Sequence, residues 1–289
     1  MTERAKLYRG AMNFENHPEY SIVIRPRSGW SGLHLKELWD YKDLWFFLMR
    51  RDIQVRYRQT FLGVTWAVIQ PVMAMAIFSI VFGRLANLSS DGHPYPLFVY
   101  SALLPWIFFS TALSAAANSV VGSANLVTKV YFPRTLIPLA SIGASFMDFL
   151  VSLGVMMGLM IFYGQTLTAS LLAIPFLCVG VALTALGIGI WLSAFMVSYR
   201  DFRHVIPFAL QIGLYATPVV YSTALVPARW RWILYINPMA GWISGFRAAF
   251  LGEPFDVPAL TVAFAVSFIL ILGAFCYFHQ AESEFADII

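Results

Sequence analysis

The chain has 289 residues, 59% hydrophobic and only 12% charged, with a mean hydropathy of +0.70. A soluble domain carries about a quarter charged residues, so a water-soluble globular fold is excluded and an all-α polytopic membrane protein is expected. The net charge of +4 is modest, and in such a chain the placement of the cations says more than their sum.

Residues 1–33 are polar, broken by Pro18, Pro26, Gly29 and Gly32, with no apolar core of signal-peptide type. Residues 1–34 therefore read as a polar cytoplasmic lead-in, and the first span as an uncleaved insertion signal. Residues 35–60 read as an amphipathic interface helix. The run 35–59 lacks proline and glycine, and at 100° per residue Leu44, Leu48, Val55 and Leu62 share one stripe. Trp45 and Phe46 thicken the apolar side. Arg50, Arg51, Arg56 and Arg58 crowd the end of the run, with Arg51 and Arg58 flanking the stripe. Such a helix lies in the membrane interface with its basic side chains reaching for lipid phosphates, and is expected to bend into the first span near 60–63.

Residues 61–289 form the transmembrane domain. A span needs about 20 apolar residues, and six segments qualify: 61–83, 97–120, 136–163, 171–197, 205–221 and 259–278. The fifth is short and contains Pro207 and Pro218. Residues 226–252 are aromatic, broken by Pro238, Gly241 and Gly245, and carry Arg229, Arg231 and Arg247. They are expected to be an extracytoplasmic re-entrant helical hairpin between helices 5 and 6.

Six spans put both termini on one side. That side holds 15 of the 19 lysines and arginines; the other holds only Arg84, Arg229, Arg231 and Arg247. By the positive-inside rule the termini and the loops 121–135 and 198–204 are cytoplasmic. The arginines before the first span need no further role to explain its direction.

Signals for chemistry are sparse. Asp148 is the only ionisable residue within a span, and is either a functional carboxylate or a structural one bonded to Ser145, Ser152 or another helix. The two cysteines, Cys178 and Cys276, sit in apolar runs, define no disulfide framework and have no metal-ligand spacing. No metal is expected. The five histidines fall at ends or in loops, and no nucleophile motif or HExxH occurs. The one stretch like a phosphate loop, GSANLVTK from Gly122, has Val127 in place of the second glycine, and Lys129 is followed by Val130. No cofactor is expected in this chain. ATP-driven work must come from a second protein carrying ATP and Mg. An enzyme acting on lipid-linked sugars would need clustered acids or histidines at one interface, which the sequence does not offer.

The cytoplasmic loops say more. SANLVTKVYFPRTLIP, 123–138, is amphipathic: Leu126, Val130 and Tyr131 are apolar, Asn125, Lys129 and Arg134 polar, and Pro133 bars a continuous helix into the next span. A short projecting helix with exposed Tyr131 and Phe132 suits docking to a cytoplasmic partner; an ordinary interfacial loop fits the same residues. SYRDFRHV adds Arg200, Asp201 and Arg203. Aromatic content is 16%. Trp66, Phe78, Tyr100, Trp106, Phe108, Phe109, Tyr215 and Tyr221 lie in or near spans, where they either pack between helices or line a channel whose rings meet the C–H faces of sugars. GVMMG, 154–158, fits helix packing through small residues.

Four stretches resemble, in order, the membrane subunit of ABC type-2 polysaccharide exporters: LMRRDIQVRYRQTFLGVTWAVIQP, KVYFPRTLIPLAS, SYRDFRHVIPFALQIGLYATPVVYS and INPMAGWISGFRAAFLG. Together they cover most of 36–280, and the likeness is strongest to O-antigen (lipopolysaccharide) permeases, with capsule and teichoic-acid permeases as near relatives. The resemblance implies a multi-pass protein of the bacterial inner membrane, working as a homodimer with two copies of a separate ATPase. It implies that 35–59 is a gate helix and 125–134 a coupling helix. The substrate implied is a glycan on a polyprenyl pyrophosphate, passed outward between the two subunits. The alternative is a type-2 permease for a small amphiphile such as a drug or lipid. Membrane lipids are partners on either reading, and nucleic acid on neither.

Overall fold

The computed structural model describes residues 35–58, 65–199, 201–282 and 285. The expected lead-in, the bend near 60–63, the start of the first span and Arg200 lie outside the described residues. Every described element is helical. Five helices are long and apolar enough to cross a membrane: Thr65–Leu85, Tyr95–Gly122, Leu136–Phe162, Ala169–Ser198 and Val257–Ala281. They coincide with five of the six expected spans.

The interface run is two helices, α1 (Leu35–Asp40) and α2 (Lys42–Arg58). The first span is α3 (Thr65–Phe78), which continues as a wider π-helical turn to Leu85. Next come α4 (Tyr95–Gly122), the short α5 (Ala124–Lys129), α6 (Leu136–Phe162) and α7 (Ile174–Ser198). The chain ends with α8 (Phe202–Ala216), α9 (Arg231–Ile236), α10 (Pro238–Leu251) and α11 (Val257–Ala281). α4 is apolar all round and is the most buried span, packed against α6, α7 and α10. One core cluster fills the space between α4, α6, α7 and α10. A second gathers Val127, Phe132, Leu136, Ile190, Val197, Phe278 and Phe285, where α5 meets the ends of α7 and α11.

α8 differs from the expected fifth span of 205–221. It has 15 residues, about 22 Å at the α-helical rise, against a hydrocarbon core of about 30 Å. It stops because Thr217 precedes Pro218. The ring of a following proline pushes its neighbour out of the helical region, and Thr217 is extended at φ −96°, ψ 142°. Residues beyond it stay buried without helix, Val219 and Val220 among them.

The segment expected as a hairpin contains α9 and α10. Asn237 starts α10 by accepting a hydrogen bond from the Met239 amide at 3.0 Å, with Pro238 at its first turn. Gly252, left-handed at φ 76°, ends it. α10 is buried along nearly its whole length against α4, α7 and α11. The contact is close: a Cβ on Gly180 of α7 would lie 2.3 Å from Cη2 of Trp242. That indole donates to Thr184 Oγ1 at 3.0 Å.

Candidate functional site

α2 lies along α6, and one glycine permits it. A Cβ at Gly143 would sit 2.2 Å from Met49 Cγ. Leu48 is buried, and Tyr41, Leu44 and Trp45 pack on the second core cluster. The buried face of α2 therefore runs through Tyr41, Leu44, Trp45, Leu48, Met49 and Arg56. It keeps Leu44 and Leu48 of the stripe marked at 100° per residue, while Val55 is 71% exposed. The expected stripe counted apolar residues only; the observed face ends in polar ones because α6 supplies a carboxylate to meet them.

That carboxylate is Asp148. Arg56 Nη1 donates to its Oδ2 at 2.6 Å, and the Tyr57 hydroxyl donates to its Oδ1. Burial first, and then the Asp148 contact, raise the Tyr57 pKa above the usual phenol value, so it stays a donor. Of the two roles open to Asp148, the geometry gives an interhelical ion pair. Its partner is Arg56, not the serines one turn away.

The pair forms the wall of a cavity of about 280 Å³ between the end of α2 and helices α3, α4 and α6. Trp66 and Gln70 come from α3, Phe108 and Thr111 from α4, and Ser145, Phe149 and Ser152 from α6. Ser145 is fully buried, and its hydroxyl finds no partner among the described residues. Buried hydroxyls are normally bonded, so this one keeps unused hydrogen-bonding capacity at a residue that lines the cavity.

The four arginines part company. Arg56 holds Asp148. Arg51 turns to its neighbour Asp52, at 2.9 Å, while Arg50 and Arg58 are exposed. In the loop after α4, Tyr131 is 69% exposed but Phe132 only 5%, seated between Val127 and Leu136 in the second core cluster. This corrects the expectation of two exposed aromatics: the turn before Pro133 directs successive side chains oppositely, and the bundle takes Phe132. Arg134 donates to the Glu282 carbonyl and so tethers the end of α11. Asn125 and Lys129 are exposed, whereas Leu126 is half-buried; Asp201 and Arg203 are exposed.

The eight aromatic candidates also divide. Of the two places open to them, Tyr100, Trp106, Phe108 and Phe109 take packing between helices: they are buried in the core of this chain. They sit on α4, and a helix enclosed by three others offers its rings to neighbours rather than to a channel. Phe108 still touches the cavity. Trp66 and Tyr215 are more than half exposed, and Phe78 and Tyr221 half-buried. Gly154 and Gly158 have open space where a Cβ would stand, so these two glycines meet no helix among the described residues, although Met156 between them is buried in the core.

Sequence reasoning missed Arg247. Counted as a loop charge, it is 5% exposed on α10. Nη2 donates to the Val219 carbonyl at 2.8 Å and Nη1 to the Tyr221 carbonyl at 3.2 Å, with Cζ 3.8 Å from the Phe98 ring centroid. A guanidinium stays inside only with such acceptors and a ring face beneath it. Two of its contacts are carbonyls 26 and 28 residues away, which no local pattern announces.

Residues 43–251 match the family model described as ABC-2 type transporter. A Myxococcus xanthus protein named O-antigen export system permease protein RfbA is 30% identical over 256 residues, covering 88% of this chain and 98% of that one. A Klebsiella pneumoniae protein of the same name is 25% identical over 248 residues, 86% of this chain and 95% of that one. The inner membrane transport permease YadH of Escherichia coli K12 is 32% identical over 225 residues, 70% of this chain and 84% of that one.

Proposed function

We propose, because this chain belongs to the ABC-2 type transporter family, that it is the multi-pass permease subunit of a polysaccharide exporter. The observation that carries the reading is similarity over nearly the full length of two proteins named as O-antigen export permeases. A third relative, 23% identical over 217 residues, is named as a polysialic acid transport protein. In this reading the cargo is an O-antigen-like glycan on a polyprenyl pyrophosphate, and the driving ATPase is a separate cytoplasmic subunit.

Two copies of the chain would enclose the path. α8 supports this: Val205, Phe208, Ile212 and Tyr215, at three- and four-residue spacing, are half or more exposed on a helix too short to span alone. The 217–222 segment and the α9–α10 pair would complete the sixth crossing and the re-entrant hairpin on the outer side. The charge asymmetry supports cytoplasmic termini. Tyr131, Lys129 and the 198–204 loop are the surface offered to the ATPase, and Arg50 and Arg58 the surface offered to the pyrophosphate, which arginine pairs with through two parallel bonds.

The YadH relative is named as a transport permease with no cargo stated, and the second reading is a permease for a small amphiphile. Deleting the gene separates them. Loss of surface polysaccharide, restored by the intact gene, supports the exporter; unchanged surface polysaccharide supports the amphiphile permease.

A further inference from the structure

We propose that the cavity walled by Arg56 and Asp148 is a subsite for one uncharged, hydroxyl-rich ring, a single neutral sugar unit of the glycan, and not for a phosphate; this rests on the exporter reading. Charge comes first. The one cation on the wall is already held at 2.6 Å by the one anion, so the cavity offers a phosphate no net attraction, and Asp148 would repel it. Hydrogen-bonding capacity comes second. Phosphate oxygens only accept, whereas a sugar hydroxyl both gives and takes. The wall is mixed in the same way. Arg56 has N–H groups beyond the one donated to Asp148, each carboxylate oxygen keeps a further lone pair, Gln70 carries both functions, and the Ser145 hydroxyl is unpartnered.

Shape comes third. A volume of about 280 Å³ equals roughly nine waters at about 30 Å³ each, the scale of one ring rather than a chain. Trp66, 53% exposed, stands on α3 at the wall, and Phe108 and Phe149 supply apolar floor from α4 and α6. The site thus joins one stacking ring to a ring of donors and acceptors.

The test uses the full chain in lipid nanodiscs and saturation-transfer NMR. The probes are the methyl glycosides of glucose, mannose and galactose, with inorganic pyrophosphate as competitor. At least one glycoside gives transfer. Ser145→Leu, which fills the cavity, abolishes it. Trp66→Leu, at an exposed position that leaves the core intact, weakens it about tenfold, the scale of one ring contact. Pyrophosphate does not displace the glycoside. No transfer from any glycoside, transfer indifferent to both variants, or displacement by pyrophosphate each overturns the proposal. If gene deletion leaves surface polysaccharide unchanged while glycoside binding obeys both variants, the exporter reading falls and the neutral-sugar site stands. If deletion removes the polysaccharide and binding ignores both variants, the subsite alone falls.

Discussion

Arg56 and Asp148, 92 residues apart, meet at 2.6 Å and join the interface helix α2 to the membrane helix α6. Both are partly shielded, with 35% and 21% of their side chains exposed. Removing one partner strands the other in a poor solvent, at a cost of about 1–3 kcal/mol. Asp148→Asn and Arg56→Gln are each expected to destabilise the chain and to speed amide exchange in 42–58. The double variant is expected to lose less than the two together, with a coupling of about 0.5–2 kcal/mol. Denaturant titration in mixed micelles measures this; strictly additive losses contradict the pairing.

The same junction has a steric test. Gly143→Ala places a methyl 2.2 Å from Met49 Cγ, and overpacking of this kind costs about 1–3 kcal/mol. Met49→Ala in the same chain opens the space again. Stability and export are expected to fall with Gly143→Ala and to recover in part in the double variant. Failure to recover would place the cause outside this contact.

Tyr131 and Phe132 are neighbours with opposite environments. Phe132→Glu buries a charge in the second core cluster and removes an aromatic, so the isolated chain is expected to lose about 3 kcal/mol or more. Tyr131→Glu changes an exposed ring and is expected to leave stability within about 0.5 kcal/mol while preventing ATPase binding or coupling. Thermal unfolding of the chain and co-purification with the ATPase separate the two. A Tyr131→Glu chain that binds its ATPase and exports normally moves docking to the 198–204 loop.

Arg51 and Arg58 flank the same stripe of α2 in different surroundings. Arg51 is engaged by Asp52, whereas Arg58 is exposed at the end of α2. The Arg51→Gln/Arg58→Gln chain is expected to lose export with dimer assembly and ATPase docking intact, and Arg58→Gln alone to cause most of the loss. Arg58→Lys is expected to be milder, since charge remains and only the fork geometry is lost. Normal export by the double variant returns both residues to setting topology.

The five long spans were legible because each is an unbroken apolar run whose length matches a bilayer. Around α10 only Pro238 was read as a boundary; Gly241 and Gly245, expected as breaks, lie inside one continuous helix because close packing on α7 and α11 leaves no room for a side chain there. The end of α8 was carried by Thr217 and Pro218, yet the apolar run continues through Tyr221, and hydropathy outvoted the proline. The polar end of the buried face of α2 was not legible because Arg56 and Tyr57 belong to it only when Asp148 is opposite, and pairing across 92 residues leaves no local trace. Phe132 and Arg247 failed for the same reason: each is defined by what a distant segment puts against it.

The most direct test is reconstitution. Proteoliposomes carrying this chain alone, its ATPase alone, or both are supplied with ATP and a lipid-linked glycan. The chain alone is expected to hydrolyse no ATP, while the pair hydrolyses it faster with glycan present and carries the glycan across the bilayer. ATP hydrolysis by the chain alone, or a complex that hydrolyses ATP and moves a small amphiphile but never the glycan, would contradict the account.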